Sequence, residues 1–210
     1  MRFLNKTAFA AVAVMASATV ASAATIDYNT LAAAAGFGET GVANGTTLNV
    51  DGVNITFDAG AGSVAFIDDE FATGGEIRPG GLGVCSSYVP ADMDCDISGD
   101  DNLDAGEELT LTFDDQVEFI LTAFLDQAHL PVDTGDSLMI GTDGGVMSSY
   151  TFADALSATF FGITSISFGH AGTDYYIAGA TVNPIPVPAA GFLLLGGLGG
   201  LAAMKRRKKA

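Results

Sequence analysis

The chain has 210 residues, of which 25 are acidic and 8 are basic, and its formal net charge is −17. Phosphate backbones and anionic membrane surfaces repel so acidic a protein, which excludes nucleic acid as a partner. Hydrophobic residues make up 49% of the chain, so the acidity does not indicate disorder.

The N-terminus has the three parts of a secretory signal peptide. Its first eight residues carry two basic side chains, residues 9–20 are apolar, and a cleavage site of the Ala-x-Ala type follows at Ala21 and Ala23. We expect cleavage after Ala23, so that residues 1–23 are the signal peptide. The alternative is a permanent N-terminal membrane anchor.

The first clear strand pattern is a hairpin. Apolar and polar residues alternate in residues 48–50 and again in residues 53–57, and Asp51-Gly52 lies between the two segments. An Asp-Gly pair between alternating segments predicts a two-residue type I′ turn.

Residues 74–107 are rich in Gly and Asp and lack periodicity, which predicts one long loop. Cys85 and Cys95 lie in this loop and are the only cysteines of the chain. In an exported protein, two cysteines ten residues apart are expected to form a disulfide, worth about 2–3 kcal/mol of stability. A thiolate metal site is the alternative, but the further Cys or His ligands that it needs are missing.

The densest group of acidic residues lies between residues 92 and 108, inside the same segment. Calcium is bound by roughly six to eight hard oxygen ligands from a flexible loop. The spacing of ligands in a helix-flanked calcium loop is matched by Asp96, Ser98, Asp100, Asn102, Asp104 and Glu107. That loop requires glycine where this chain has Asp101, and the flanking residues have no helical pattern. The sequence therefore leaves two alternatives, a solvated, metal-free acidic loop and a non-helical calcium loop.

The second half of the chain contains further strand patterns separated by turn signals. Asp114-Asp115 is predicted to be a turn, and Phe152 is predicted to lie in a short strand. The alternating segments are residues 109–113, 117–121, 138–140, 160–168 and 176–182. With the earlier hairpin they give about eight strands, which predicts an all-β fold, an antiparallel β-sandwich or jelly roll.

The sequence contains little that is typical of an enzyme. Paired carboxylates can hydrolyse glycosides, but Trp, a frequent sugar-stacking residue, is absent. His129 and His170 are the only histidines and are expected to be loop residues, and no Gly-x-Ser-x-Gly motif is present. Tyr175-Tyr176 is either a sugar-stacking pair or part of the core. We expect a non-enzymatic protein, with a secreted, glycoside hydrolase-like enzyme as the alternative.

The C-terminus combines an apolar segment with a basic end. Residues 189–204 carry no charge and predict a transmembrane helix, since such helices need roughly 17–25 apolar residues and flanking basic side chains extend their reach. The positive-inside rule places the basic end in the cytoplasm. A buried core helix is the alternative. The basic end consists of Lys205, Arg206, Arg207, Lys208 and Lys209.

The segment before this helix is Ile185-Pro186-Val187-Pro188-Ala189. Together with the helix and the basic end, it resembles the bacterial PEP-CTERM class of sorting signals, and within that class the variant with a Val-Pro-Leu-Pro-Ala signature. The resemblance covers residues 184–210. It implies a Gram-negative envelope protein that is processed by an exosortase-type or related protease of the inner membrane, commonly beside exopolysaccharide and biofilm systems.

These patterns together predict an exported protein with a domain at residues 24–183. We expect it to be held transiently in the inner membrane as a single-pass protein, then displayed at the cell surface or released to the extracellular matrix. Its expected role is structural or adhesive, through extracellular polysaccharide. Within that domain Arg78 is the only basic residue beside all 25 acidic ones, so the exported part is far more acidic than the whole chain.

If the acidic loop binds calcium, EDTA will lower the melting temperature of the full-length protein, because a ligand that binds only the folded state stabilises that state. Scanning calorimetry with and without EDTA measures the shift, and titration calorimetry measures the heat of calcium binding. Magnesium chloride is the control, since magnesium fits such a flexible, many-ligand loop poorly. An unchanged melting temperature with no heat of calcium binding would contradict the prediction.

Overall fold

A computed structural model of the chain describes residues 23–28, 30–31, 40–68, 71–73, 76–89, 94–95 and 101–186. All of them except Pro186 belong to one compact unit, Ala21–Ile185. Every strand pair among these residues is antiparallel, which confirms the predicted all-β class. The predicted signal peptide up to residue 22 and the predicted transmembrane segment lie outside the described residues.

The strands are short apart from β11, β14 and β15, and a short helix, α1 (Phe152–Ser157), lies between β13 and β14. In chain order they are β1 (Ala24–Asp27), β2 (Thr40–Val42), β3 (Thr46–Val50), β4 (Val53–Asp58), β5 (Val64–Ile67), β6 (Phe71–Thr73), β7 (Glu76–Arg78), β8 (Leu82–Cys85), β9 (Tyr88–Val89), β10 (Asp94–Cys95), β11 (Glu108–Asp126), β12 (Ser137–Thr142), β13 (Ser148–Thr151), β14 (Phe160–His170) and β15 (Tyr175–Pro184).

Eleven of these strands join one sheet, whose main order is β13-β12-β14-β11-β15-β8-β5-β2. Off this path, β1 pairs with β15, and β3 pairs with β4, which in turn pairs with β11. Two separate ladders are formed by β6 with β7 and by β9 with β10. Among the described residues, no helix is long and apolar enough to cross a membrane.

The centre of the sheet is β11, which is 19 residues long. Its first part pairs with β4, its second part pairs with β15, and β14 lies along its other side. The register shifts between Thr112 and Val117, where the predicted turn at Asp114-Asp115 is wrong. The chain stays extended there because Phe113 and Val117 are both buried while the residues between them are exposed, as in a β-bulge.

The hairpin predicted between β3 and β4 is confirmed. Asp51 and Gly52 have φ values of 49° and 89°, and two successive positive φ values define a type I′ turn.

Phe152 was predicted to lie in a strand, but it begins α1. The side chain of Thr151 caps this helix by accepting a hydrogen bond from the backbone N–H of Asp154 at 3.0 Å.

The prediction of one long loop over residues 74–107 is also wrong, because β7, β8, β9 and β10 lie within it. All four residues of β8 are buried, and β8 pairs with β5 and β15. A Cβ atom at Gly83 would collide with the backbone of Asp101 and Asn102. Glycine in this segment therefore permits close packing of two backbones rather than a flexible loop.

The predicted disulfide is present between Cys85, at the end of β8, and Cys95, in β10, with 6.0 Å between the Cα atoms. It ties the β9–β10 ladder to a strand of the main sheet.

Part of the core is an aromatic cluster of Phe124, Phe152 and Tyr175, whose ring centroids lie 5.0–5.8 Å apart in edge-on arrangements.

The loop after β12 is fixed to β14 by Asp143, which lies in the left-handed region at φ 51°. Its carboxylate accepts hydrogen bonds from the backbone N–H of Thr164 (2.7 Å), the hydroxyl of Thr164 (2.9 Å) and the backbone N–H of Ser165 (3.1 Å). These bonds, with that of the Thr164 N–H the strongest, lower the pKa of Asp143 from its ordinary value of 3.8.

Asp143→Asn is therefore expected to lower stability at neutral pH by less than about 1 kcal/mol, since the group is exposed and solvent screens it. A lowered pKa in the folded state means that the carboxylate's contribution is fully present above pH 3.8 and is lost as the pH falls through the folded-state value. Asparagine tolerates the left-handed backbone, so the substitution tests charge and not strain. Urea unfolding at neutral and acidic pH measures the difference, and a difference that does not change with pH would contradict the prediction.

Candidate functional site

The predicted signal-peptide cleavage point lies at the start of the fold. Ala23 is exposed, and Ala24 is fully buried as the first residue of β1. Ala24 pairs in register with Val182 of β15. A cut after Ala23 therefore releases the exposed residue and leaves β1 intact. The other residue of the cleavage motif, Ala21, lies outside the described residues.

The predicted sorting motif begins where β15 ends. Pro184 still pairs with Val117, and the backbone N–H of Ile185 donates to the carbonyl of Gln116 at 2.8 Å. Pro186 is exposed and cannot donate a further ladder hydrogen bond because proline lacks an N–H. The rest of the motif and the basic end lie outside the described residues, namely Val187, Pro188, Ala189, Lys205, Arg206, Arg207, Lys208 and Lys209.

Three of the six predicted calcium ligands can be located, since Asp96, Ser98 and Asp100 lie outside the described residues. Asn102 is only 1% exposed, and its side chain bonds to that of Tyr176. In a turn next to it, the carboxylate of Glu107 accepts a hydrogen bond from the backbone N–H of Asp104 at 3.1 Å. Asn102 and Glu107 thus make contacts within the fold, and no group of three or more metal-binding side chains occurs among the described residues.

A polar cluster that the sequence did not reveal surrounds His129. Its imidazole Nδ1 lies 3.1 Å from the carbonyl oxygen of Pro79 and 3.4 Å from the carboxylate of Asp68. Two acceptors on one ring nitrogen mean that Nδ1 carries a proton. The ring also stacks on Tyr176, with 4.8 Å between centroids. The cluster therefore joins the turn after β11 to the ends of β5 and β7 and to β15.

The turn that presents His129 is held by Asp126. Its carboxylate accepts from the backbone N–H groups of Ala128 (2.8 Å) and Leu130 (2.9 Å). His129 has φ 57°, a left-handed conformation that is uncommon for a non-glycine residue and costs roughly 1–2 kcal/mol. Arg78, the only Lys or Arg in residues 24–183, braces the same turn by donating to the carbonyl of Ala128 at 2.7 Å.

Tyr176 links this cluster to the acidic segment. Its hydroxyl donates to the carboxylate of Asp101 at 2.5 Å. Burial, followed by the negative charge of Asp101, raises the pKa of Tyr176 above its ordinary value, so the phenol keeps its proton through the physiological range. The cluster has a histidine beside a carboxylate, yet His129 is only 8% exposed and its Nδ1 proton faces a backbone carbonyl. This arrangement is suited to joining chain segments.

The other aromatic and histidine candidates contact only their own fold. Tyr175 and Tyr176 are both buried, because β15 is covered on both of its faces, so neither ring presents a surface for stacking on a sugar. His170, the last residue of β14, lies 3.2 Å from the carboxylate of Asp174 through Nε2. Its Nδ1 accepts the backbone N–H of Gly172, which fixes the turn between β14 and β15.

Comparison with known proteins adds no relative. No protein-family model matches the chain, and no curated protein or solved structure does so either.

Tyr176→Phe is expected to destabilise the protein by about 1.5–3 kcal/mol, because it removes a hydrogen bond to a charged, partly buried carboxylate. The matched control is Tyr175→Phe, which removes a longer bond of 3.2 Å to the neutral carbonyl of Gly169 and should cost only about 0.5–1.5 kcal/mol. Urea unfolding of the two variants measures both losses. Equal stability of Tyr176→Phe and the wild type would show that the bond to Asp101 contributes nothing.

Proposed function

We propose that this chain is an exported cell-surface or matrix protein that is sorted by its C-terminal segment and has a structural or adhesive role with extracellular polysaccharide. The signal peptide sends it through the inner membrane. The segment at residues 189–204 holds it there until a sorting protease acts near the motif at residues 185–189.

The observation that carries this proposal is the pairing of β1 with β15. Because Ala24 lies opposite Val182, the predicted signal peptide and the sorting segment leave the exported domain from neighbouring strands. Removal of both segments takes away no described strand, since β1 begins at Ala24 and β15 ends at Pro184. A sheet that stays intact when both segments are cut off supports the proposed processing.

The domain itself is suited to life outside the cell. Its two cysteines are paired in a disulfide, which persists in oxidising compartments. Its excess of acidic side chains favours solubility and disfavours association with anionic membranes. We infer that its large sheet folds over as a β-sandwich or jelly roll, in which β11 pairs with β4 before the bulge and with β15 after it. We also infer that calcium is held by the acidic segment around residues 96–107.

Mass spectrometry of the protein recovered from its native host is expected to show an N-terminus at Ala24 and a C-terminus that lacks the basic residues 205–209. The matched variant Pro186→Ala/Pro188→Ala alters the sorting motif only, and should keep the basic end and remain in the membrane fraction. An unprocessed basic end on the wild-type protein would overturn the sorting proposal. A missing basic end on both proteins would show that the motif does not direct processing.

A further inference from the structure

One partly exposed face of the sheet carries small polar side chains in rows that run across β3, β4, β11 and β14. In the first row, Thr47 pairs with Thr56, Thr56 with Thr112, and Thr112 with Ser165. In the second row, Thr110 pairs with Ser167. We call these six residues the hydroxyl face. Residues directly opposite each other on paired strands project to the same side of a sheet, so their hydroxyl groups form one surface.

The rows are already ordered by bonds between neighbours. The hydroxyls of Thr47 and Thr56 lie 2.7 Å apart, and so do those of Thr110 and Ser167. Each hydroxyl has one donor and two acceptor positions, so a bond between two hydroxyls uses one donor and one acceptor and leaves the others available. Side chains fixed in advance lose little conformational freedom when a ligand binds.

The face continues beyond Thr47 and Thr56 as a row of amides. The side chain of Asn49 donates to that of Asn54 at 2.7 Å, and Asn54 donates to the carboxylate of Asp114 at 2.7 Å. Below the hydroxyl face lies the core, since the alternate residues of β4 and β11 are buried. The surface is therefore a rigid grid, in which neighbouring side chains of one row lie about 4.8 Å apart and neighbouring rows lie about 6.8 Å apart.

Methionine side chains border this grid on the β12 side. Gly169 and Gly141, on β14 and β12, leave room for Met147, whose Sδ lies 3.1 Å from the position of a Cβ at Gly169. Met139 pairs with Gly169 in the same region. Hydroxyl groups beside half-buried apolar side chains match a sugar polymer, which presents both hydroxyls and C–H surfaces.

The charges around the hydroxyl face indicate which class of polysaccharide fits it. Asp58 pairs with Thr110 and is exposed, and Asp114 and Glu108 are exposed on β11. The one basic side chain of the exported domain, Arg78, is bound to the turn at Ala128. An anionic polysaccharide would meet only carboxylates at this border, whereas an uncharged one meets no repulsion.

We propose that the hydroxyl face binds a neutral, polyhydroxylated glycan strand. This inference rests on the proposed association with extracellular polysaccharide and names the surface and the class of polymer. The glycan lies on the grid, with its hydroxyls bonded to the threonine and serine rows and its C–H groups against the methionine border.

The test compares binding of the full-length protein, in detergent, to insoluble cellulose as a neutral glycan and to alginate as an anionic one. The variant Thr56→Val/Thr112→Val keeps the β-branched shape and removes two central hydroxyls. Its affinity for cellulose should fall about tenfold, if two hydrogen bonds of about 0.7 kcal/mol each are lost. The control Thr159→Val changes an exposed threonine outside the face and should bind as the wild type does.

Several outcomes would overturn the proposal. These are wild-type protein that does not bind cellulose, a Thr56→Val/Thr112→Val variant with the wild-type melting temperature and unchanged binding, and tighter binding to alginate than to cellulose. Sedimentation adds a fourth, because a wild-type dimer that the variant abolishes would identify a second copy as the occupant. None of these results changes the processed termini measured by mass spectrometry, so failure here and failure of the sorting proposal are distinguishable.

Discussion

The fold depends on the continuity of β11 through its bulge. If the chain turned back at Asp114, as its sequence invites, one strand could not pair with β4 in its first part and with β15 in its second. Burial of Phe113 and Val117 on either side of the exposed residues keeps the strand extended, because reversal would expose one of these large side chains. The bulge exchanges the neighbour while β14 remains paired along the other side.

The two parts of β11 consequently serve two regions. The first part carries Thr110 and Thr112 between β4 and β14, where the surface is partly exposed and rich in hydroxyls. The second part lies beside β15, which pairs with β1 and so places the first and last strands of the domain next to each other. The end of β11 leads into the turn that presents His129 to Asp68 and Tyr176. The hydroxyl face therefore lies on the first part of β11, and both ends of the domain lie beside its second part.

How far the sequence predicts this structure depends on how local each determinant is. The turn at Asp51-Gly52 is specified by two adjacent residues, and the disulfide by the only two cysteines, so both were predicted. The bulge was missed because adjacent aspartates indicate a turn unless the burial on both sides is known. β8 was not predicted because a glycine in a sequence usually indicates a loop. Only the structure shows that Gly83 allows the backbone of Asp101 to pack closely against this strand. In the His129 cluster, Asp68 precedes His129 by 61 positions and Tyr176 follows it by 47, and no local sequence pattern predicts contacts over such separations.

The hydroxyl face shows the same limit in a form that bears on function. Thr47, Thr56, Thr112 and Ser165 are each unremarkable polar positions of an alternating strand, and their row exists only through the register of three strand pairs. A slip of one residue in any pair would turn that strand's hydroxyls into the core. Since the buried residues of β4 and β11 forbid such a slip, the core packing that fixes the register also fixes the spacing of the surface groups. Binding of any ligand that fits this spacing therefore depends on the packing of the buried residues on the opposite face of the sheet.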